Sequence, residues 1–419
     1  MTKSASAEVQ EPEGSAEKPG ASPLIVALIA LCAGITVSNL YLTQPLLPLV
    51  AESLRVSPSQ VGFLPTIGQA GYALGILLIV PLGDVLRRRG LLTFVLAGLI
   101  VALAGAAFAP SLGFLMLATL FVSSLTILPQ ILVPLASQIA SDEHRGQVLA
   151  IIGAMLTCGL FASRSLYGQV GDAFGWRASY VVAAVLSAII GTITISVLPK
   201  EKSKEGETYA GLLRSLPTLL LEEPTLRKAC LLQGTIFATF NMFWTTIVFT
   251  LTASPYGFST GTAGLFGLFG ILSAASAPFV GGLIDRRGPV FVVGSCLLIT
   301  ICSSVAFLLG GTMLAALIVA IVLLGIGIQG GMSANQTRVL TVRPEAGSRM
   351  NTVFLVLIFV CGAAGGAAGS ALYHAGGWPL VCISGICVST AGFIAWLLLS
   401  TTEAPEVLGN TSPPLPMVR

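Results

Sequence analysis

Two charged turns hold the residue types best suited to chemistry in this sequence. The first, Val80-Pro81-Leu82-Gly83-Asp84-Val85-Leu86-Arg87-Arg88-Arg89-Gly90, returns half a chain later as Val280-Gly281-Gly282-Leu283-Ile284-Asp285-Arg286-Arg287-Gly288-Pro289. Each copy ends a long apolar run with Gly, Asp and a cluster of Arg and starts another within a few residues, which describes a tight, basic turn between two membrane spans. A third feature is Arg164, the one charged residue well inside an apolar segment, in Phe161-Ala162-Ser163-Arg164-Ser165-Leu166-Tyr167-Gly168. In a membrane a lone cation there costs at least ~2.5 to 3.5 kcal/mol unless something satisfies it. Backbone carbonyls, amides, water and an anionic substrate are all open as partners. Covalent and metal chemistry find no support, because no nucleophile with a base, no paired carboxylates and no His cluster occurs. The 8 Cys lie in apolar runs without Cys-x-x-Cys spacing and read as small packing residues. These absences speak against an enzyme, and no cofactor is expected; there is also no Gly-x-x-x-x-Gly-Lys-Ser/Thr loop for ATP, so any energy source should be an ion gradient or the substrate's own gradient.

The elements that must position these residues are membrane spans. The chain is 54% hydrophobic and only 9% charged, with a mean hydropathy of +0.91, whereas soluble domains carry about 25% charged residues. A net charge of +3 gives no footprint for nucleic acid. Apolar runs fall at 23–50, 59–83, 90–109, 112–140, 146–170, 176–199, 227–253, 259–284, 289–309, 312–335, 348–374 and 377–399. Each meets or approaches the ~20 residues a helix needs to cross ~30 Å of hydrocarbon. The halves are duplicates: Asp285 follows Asp84 by 201 residues, and Gly377-Trp378 follows Gly175-Trp176 by 202.

With both termini cytoplasmic, 18 of the 21 Lys and Arg fall on the cytoplasmic side, which decides the orientation. Residues 1–22 and 401–419 read as tails, the first disordered and no signal peptide. Residues 200–226 form a cytoplasmic linker, with an amphipathic stretch from Tyr209 to Leu221 suited to a surface. Pro45, Pro48, Pro65, Pro129, Pro134 and Pro278 predict kinks. In the eleventh segment Gly362 with Gly366, and Gly365 with Gly369, predict close helix approach, either as packing within one half or as a sliding contact.

Polar residues inside the runs concentrate in four of them: Asn39, Tyr41 and Gln44 in the first, Ser123, Thr126, Gln130 and Gln138 in the fourth, Gln233, Asn241 and Trp244 in the seventh, and Gln329, Asn335 and Gln336 in the tenth. In the seventh, Gln233, Phe237, Phe240, Asn241 and Trp244 share one helical face. That face reads either as a binding surface for an amphiphilic ligand or as an aromatic packing stripe.

The two turns resemble the signature Gly-x-x-x-Asp-Arg-x-Gly-Arg, found after the second and eighth spans in the major facilitator superfamily of secondary transporters. The second copy matches through Gly281, Asp285, Arg286 and Gly288. The first departs, with Val80 and Val85 at the Gly and Arg positions and the charge moved to Arg87, Arg88 and Arg89. The stretch 168–177, Asn335-Gln336-Thr337-Arg338 and Ser348-Arg349-Met350-Asn351-Thr352 are similar to a bacterial subgroup of drug or metabolite exporters. The resemblance implies an all-α protein of twelve transmembrane helices in two pseudo-symmetric six-helix bundles, 23–199 and 227–400, with a midplane site. It places the first, fourth, seventh and tenth spans around a cavity, so Asn39, Gln44, Gln130, Gln233, Phe237, Asn241, Trp244, Gln329 and Asn335 would line it, joined by Arg164 of the fifth. Asp84, Arg87, Arg88, Asp285, Arg286 and Arg349 would latch its inner end.

The function implied is proton-coupled export of a small amphiphilic organic compound by a monomer in the bacterial plasma membrane. The main rival is an importer or facilitator of a sugar or organic anion; an ion channel is disfavoured by twelve spans with no repeated filter loop, and a membrane enzyme by the missing catalytic groups. Proton antiporters commonly hold a carboxylate in the cavity, and this chain has none in any span interior. Coupling then falls to Asp84, Asp285, Glu52, Asp172 or His374 at the rims, or to an ionisable substrate.

Overall fold

A chain surrounded by hydrocarbon must satisfy its own backbone hydrogen bonds, so its apolar runs become helices. In the computed structural model, residues 22–141, 144–198 and 208–400 are described, and of Asp84 the backbone alone. The expected tails and the start of the linker lie outside these residues. The spans are Pro23–Leu54, Pro58–Leu78, Arg88–Ala107, Leu112–Ile139, Arg145–Phe174, Trp176–Val197, Pro224–Thr252, Thr260–Arg287, Pro289–Leu309 and Leu314–Val342, with the eleventh and twelfth sharing Pro344–Ser400. No strand occurs among the described residues. The twelve helices form two six-helix bundles.

The shared stretch turns back at Gly376 and Gly377, the latter at φ 66°. Gly175, between the fifth and sixth spans, sits at φ 84°. An L side chain resists this left-handed region, which explains the repeated Gly. The Trp after each is buried, and Trp378 Nε1 donates to the Phe307 carbonyl at 2.9 Å. The duplicated Gly-Trp pair is therefore a duplicated reverse turn.

Proline sets most of the breaks. A proline removes its own N–H and crowds the carbonyl four residues back. The first span accordingly passes through a 3₁₀ turn at Asn39–Tyr41 ahead of Pro45. The fourth divides between Leu125 and Leu128 ahead of Pro129, and the eighth runs through the 3₁₀ segment Leu272–Ser276 into Pro278. The second span ends at Leu78, short of the expected 83, because Pro81 follows, and a one-turn helix Leu82–Val85 carries Asp84. Pro65 makes no kink. It lies in the first turn of Phe63–Leu78, where N–H groups have no intrahelical partner to lose.

Within halves, the first span packs on the fifth, the third on the sixth, the ninth on the tenth, and the seventh on both the eleventh and twelfth. Gly365 lies so close to the seventh that an added Cβ would stand 2.2 Å from the Ala238 carbonyl oxygen; at Gly369 it would stand 2.8 Å from that of Met242. The packing face is thus Gly362, Gly365 and Gly369. Gly366 lies at the edge of that face, where an added Cβ would stand 3.3 Å from both Thr245 of the seventh span and Thr66 of the second. Between halves, the second packs on the eleventh and the fifth on the eighth. The linker residues Tyr209–Glu222 form a helix that buries Leu212, Leu216 and Leu219 against the bundle, while Tyr209 donates to the Leu78 carbonyl at 2.9 Å. Its apolar stripe faces protein.

Candidate functional site

A cavity of about 580 Å³ lies where the halves meet, within the range usual for small-molecule sites. Tyr41 and Leu160 close it at mid-bundle. Its walls run from there to Val80, Ala150, Ser348 and Asn351, near the ends that carry the charged turns. At the opposite end the halves touch: an added Cβ at Gly62 would stand 1.9 Å from Ser370 Oγ, and one at Gly261 2.9 Å from Asp172 Oδ2. Ser165 Oγ bonds the Gly264 carbonyl across the same seam at 2.9 Å. The cavity reaches toward the turn-bearing end and is sealed at the other.

Of the amides singled out in the sequence, Gln130 and Gln329 stand in the cavity wall. Gln130 Nε2 donates to the Tyr72 hydroxyl at 3.1 Å, and Gln329 donates to Thr157 Oγ1 from the other half. Asn39 lies outside the wall because its amide is committed elsewhere, donating to Ser187 Oγ at 3.0 Å and accepting from Tyr167. Gln233 and Asn335 bond each other at 3.3 Å behind the tenth span, where Asn335 also accepts from Arg338. The tenth helix presents Gln329, Ser333 and Gln336 to the cavity, at positions i, i+4 and i+7, so Asn335 falls on another face. Gln336 donates to Asn351 Oδ1 at 2.8 Å. Asn351 and Tyr72 were not among the residues expected in the cavity, and Gln336, one of the polar residues read in the tenth span, lines it in place of Asn335.

The polar and aromatic face of the seventh span is buried in the bundle rather than on the cavity wall. Phe237 packs edge-on against Phe359 at 4.9 Å and Asn241 donates to the Phe237 carbonyl at 3.0 Å. Trp244 meets Arg164, whose guanidinium carbon lies 3.9 Å from the indole centroid and 4.9 Å from that of Tyr41. Phe161 and Phe240 complete the surround, each at 5.8 Å. Such a cage offsets part of the cost of burying the cation. Arg164 Nη1 donates to the Leu160 carbonyl of its own helix. Its Nε and Nη2, the Trp244 Nε1 and both amide atoms of Gln44 are buried without a partner.

At the turns, Arg88 donates to Gln138 Oε1 at 2.8 Å, whereas Arg87, Asp285 and Arg286 are exposed and Arg349 is half-buried. Arg343 pairs with Glu223 at 2.6 Å and Glu222 at 3.3 Å, tying the tenth span to the linker helix.

The profile of the Major Facilitator Superfamily matches residues 27–365 and 229–418. The chain belongs to this superfamily. A Streptomyces coelicolor relative described as "Probable transporter SCO4007" is 39% identical over 395 residues, covering 94% of this chain and 90% of its own. A "Probable sugar efflux transporter" of Pasteurella multocida is 25% identical, over 89% of this chain and 91% of its own. Among solved structures, the nucleoside transporter NupG superposes with a TM-score of 0.70 at 14% identity, covering 90% of this chain and 99% of that one. This major facilitator protein is therefore a multi-pass transporter and not an enzyme.

Proposed function

We propose that the protein exports a small amphiphilic organic compound across the bacterial plasma membrane by alternating access, with proton coupling, acting as a monomer. The observation that carries this reading is a cavity of about 580 Å³ between the halves, reaching one face and sealed at the other. It pairs amides from both halves with an apolar wall, which suits a compound with a polar head and an apolar body. Arg87, Arg88, Arg89, Arg286 and Arg287 lie at the turn-bearing face, which by the positive-inside rule supports reading that face as cytoplasmic and this conformation as the inward-open one. In it, Asp285 and Arg286 are exposed. A latch joining Asp285 to nearby Arg groups closes when the cavity turns outward.

None of the described wall residues is acidic, so the coupled proton travels on a rim carboxylate or on the substrate. A sugar as cargo draws support from the Pasteurella multocida relative, though the apolar share of the wall favours an amphiphile. Counterflow in proteoliposomes tests the reading: preloaded compound should accelerate entry of labelled compound. Equal entry into empty and loaded liposomes, across amphiphile and sugar panels, would refute exchange.

A further inference from the structure

We propose that Arg164 is the seat for the carboxylate of a small organic anion with an apolar body, an assignment that rests on the transporter reading above and narrows its substrate class. Arg164 is 2% exposed. Its Nη1 is committed to the Leu160 carbonyl, and its Nε and Nη2 have no partner. Those two nitrogens share one edge of the planar guanidinium. Parallel N–H bonds from one edge match the two oxygens of a carboxylate, a geometry Lys cannot offer.

The indole Nε1 of Trp244 adds an unpartnered donor on the ring that lies over the guanidinium. Among the described residues no acidic side chain bonds Arg164, so the fork is left for a partner from outside the chain. The sequence places no other Lys or Arg well inside a span. One cation balances one negative charge, which favours a carboxylate over a phosphate dianion. Tyr41, Phe161 and Phe240 supply an apolar surround within 6 Å for the rest of the molecule.

The position also suits transport. Tyr41 and Leu160 belong both to the closed end of the cavity and to the immediate contacts of Arg164. Gly267 of the eighth span packs on the Arg164 side chain, where an added Cβ would stand 3.0 Å from the Arg164 Cβ. The fork therefore lies between the cavity and the seam between halves, and a parting of that seam exposes it.

The test uses the purified full-length protein in nanodiscs, titrated with phenylacetate, phenylacetamide and phenethylamine, and with octanoate and octanamide. Wild type should bind each carboxylate about tenfold or more tightly than its amide, the usual scale of a charge-assisted pair. Arg164→Gln should bring the pair level, and Arg164→Lys should fall between. Trp244→Phe keeps the ring, removes the donor, and should weaken the carboxylates alone. Equal binding of acid and amide to wild type overturns the proposal without reference to any variant, as does a carboxylate preference that survives Arg164→Gln. Counterflow with the same probes separates the two readings. Amides exchanged as fast as acids leave export of an amphiphile standing and remove the carboxylate seat; no binding and no exchange with any of these amphiphiles removes the seat and the amphiphile reading together.

Discussion

Gly264 is the position from which the motion between halves is most directly perturbed. It sits on the eighth span against the fifth, and an added Cβ would stand 2.4 Å from the Arg164 carbonyl oxygen. Backbone cannot swing aside as a side chain can, so Gly264→Ala forces the two helices apart in this conformation. Overpacking of this kind costs about 1 to 3 kcal/mol. The gain in helix propensity, about 1 kcal/mol, is present in both conformations and cancels. This conformation should lose population by a factor of about 5 to 150. A cysteine placed at Thr245, which is buried here, in a background lacking the native cysteines, reports this as faster labelling by a membrane-impermeant maleimide from the extracellular side. Gly365→Ala is the control, because its clash with Ala238 lies within one half. It should lower the thermal midpoint and leave labelling unchanged. Unchanged labelling in Gly264→Ala, with both variants equally destabilised, would show that the fifth and eighth spans do not part.

Asp84→Asn and Asp285→Asn should each lower the transport rate with membrane abundance unaltered, read by counterflow beside quantitative blotting; rates equal to wild type would remove the latch. Gly377→Ala places an L side chain at φ 66° and should lower stability by about 1 to 2 kcal/mol, read from the unfolding midpoint. Arg343→Ala leaves Glu223, whose side chain is only 10% exposed, without its partner at 2.6 Å, and should cost about 1 to 3 kcal/mol, read from the unfolding midpoint. Gln336→Leu removes the bond to Asn351 from the cavity wall and should weaken substrate affinity several-fold while leaving protein folding intact, as binding isotherms and size-exclusion profiles would reveal.

The spans, their number and most of their breaks were legible because they rest on local chemistry. Length and hydropathy define a helix in lipid, and Pro45, Pro129 and Pro278 act within one turn of themselves. Even the second copy of the Gly-Trp turn was visible as a repeat. Helix rotation was not legible. Gln336 faces the cavity and Asn335 does not, a difference of one residue, or about 100° around the axis. That phase is set by packing against the seventh span, where Gln233 takes up Asn335. The surround of Arg164 was also hidden, since Tyr41 and Trp244 come from spans distant in sequence. The cost of its burial was plain from the sequence, and only the three-dimensional fold supplied the rings that offset it.

Proton-coupled export is tested most directly by uptake into inverted membrane vesicles of a compound that exchanges in counterflow, with and without an imposed pH gradient, acidic inside. Wild type should accumulate the compound only when the gradient is present, and collapse of the gradient should release it. Accumulation or equilibration at the same rate with and without the gradient would contradict proton antiport and leave an uncoupled exchanger.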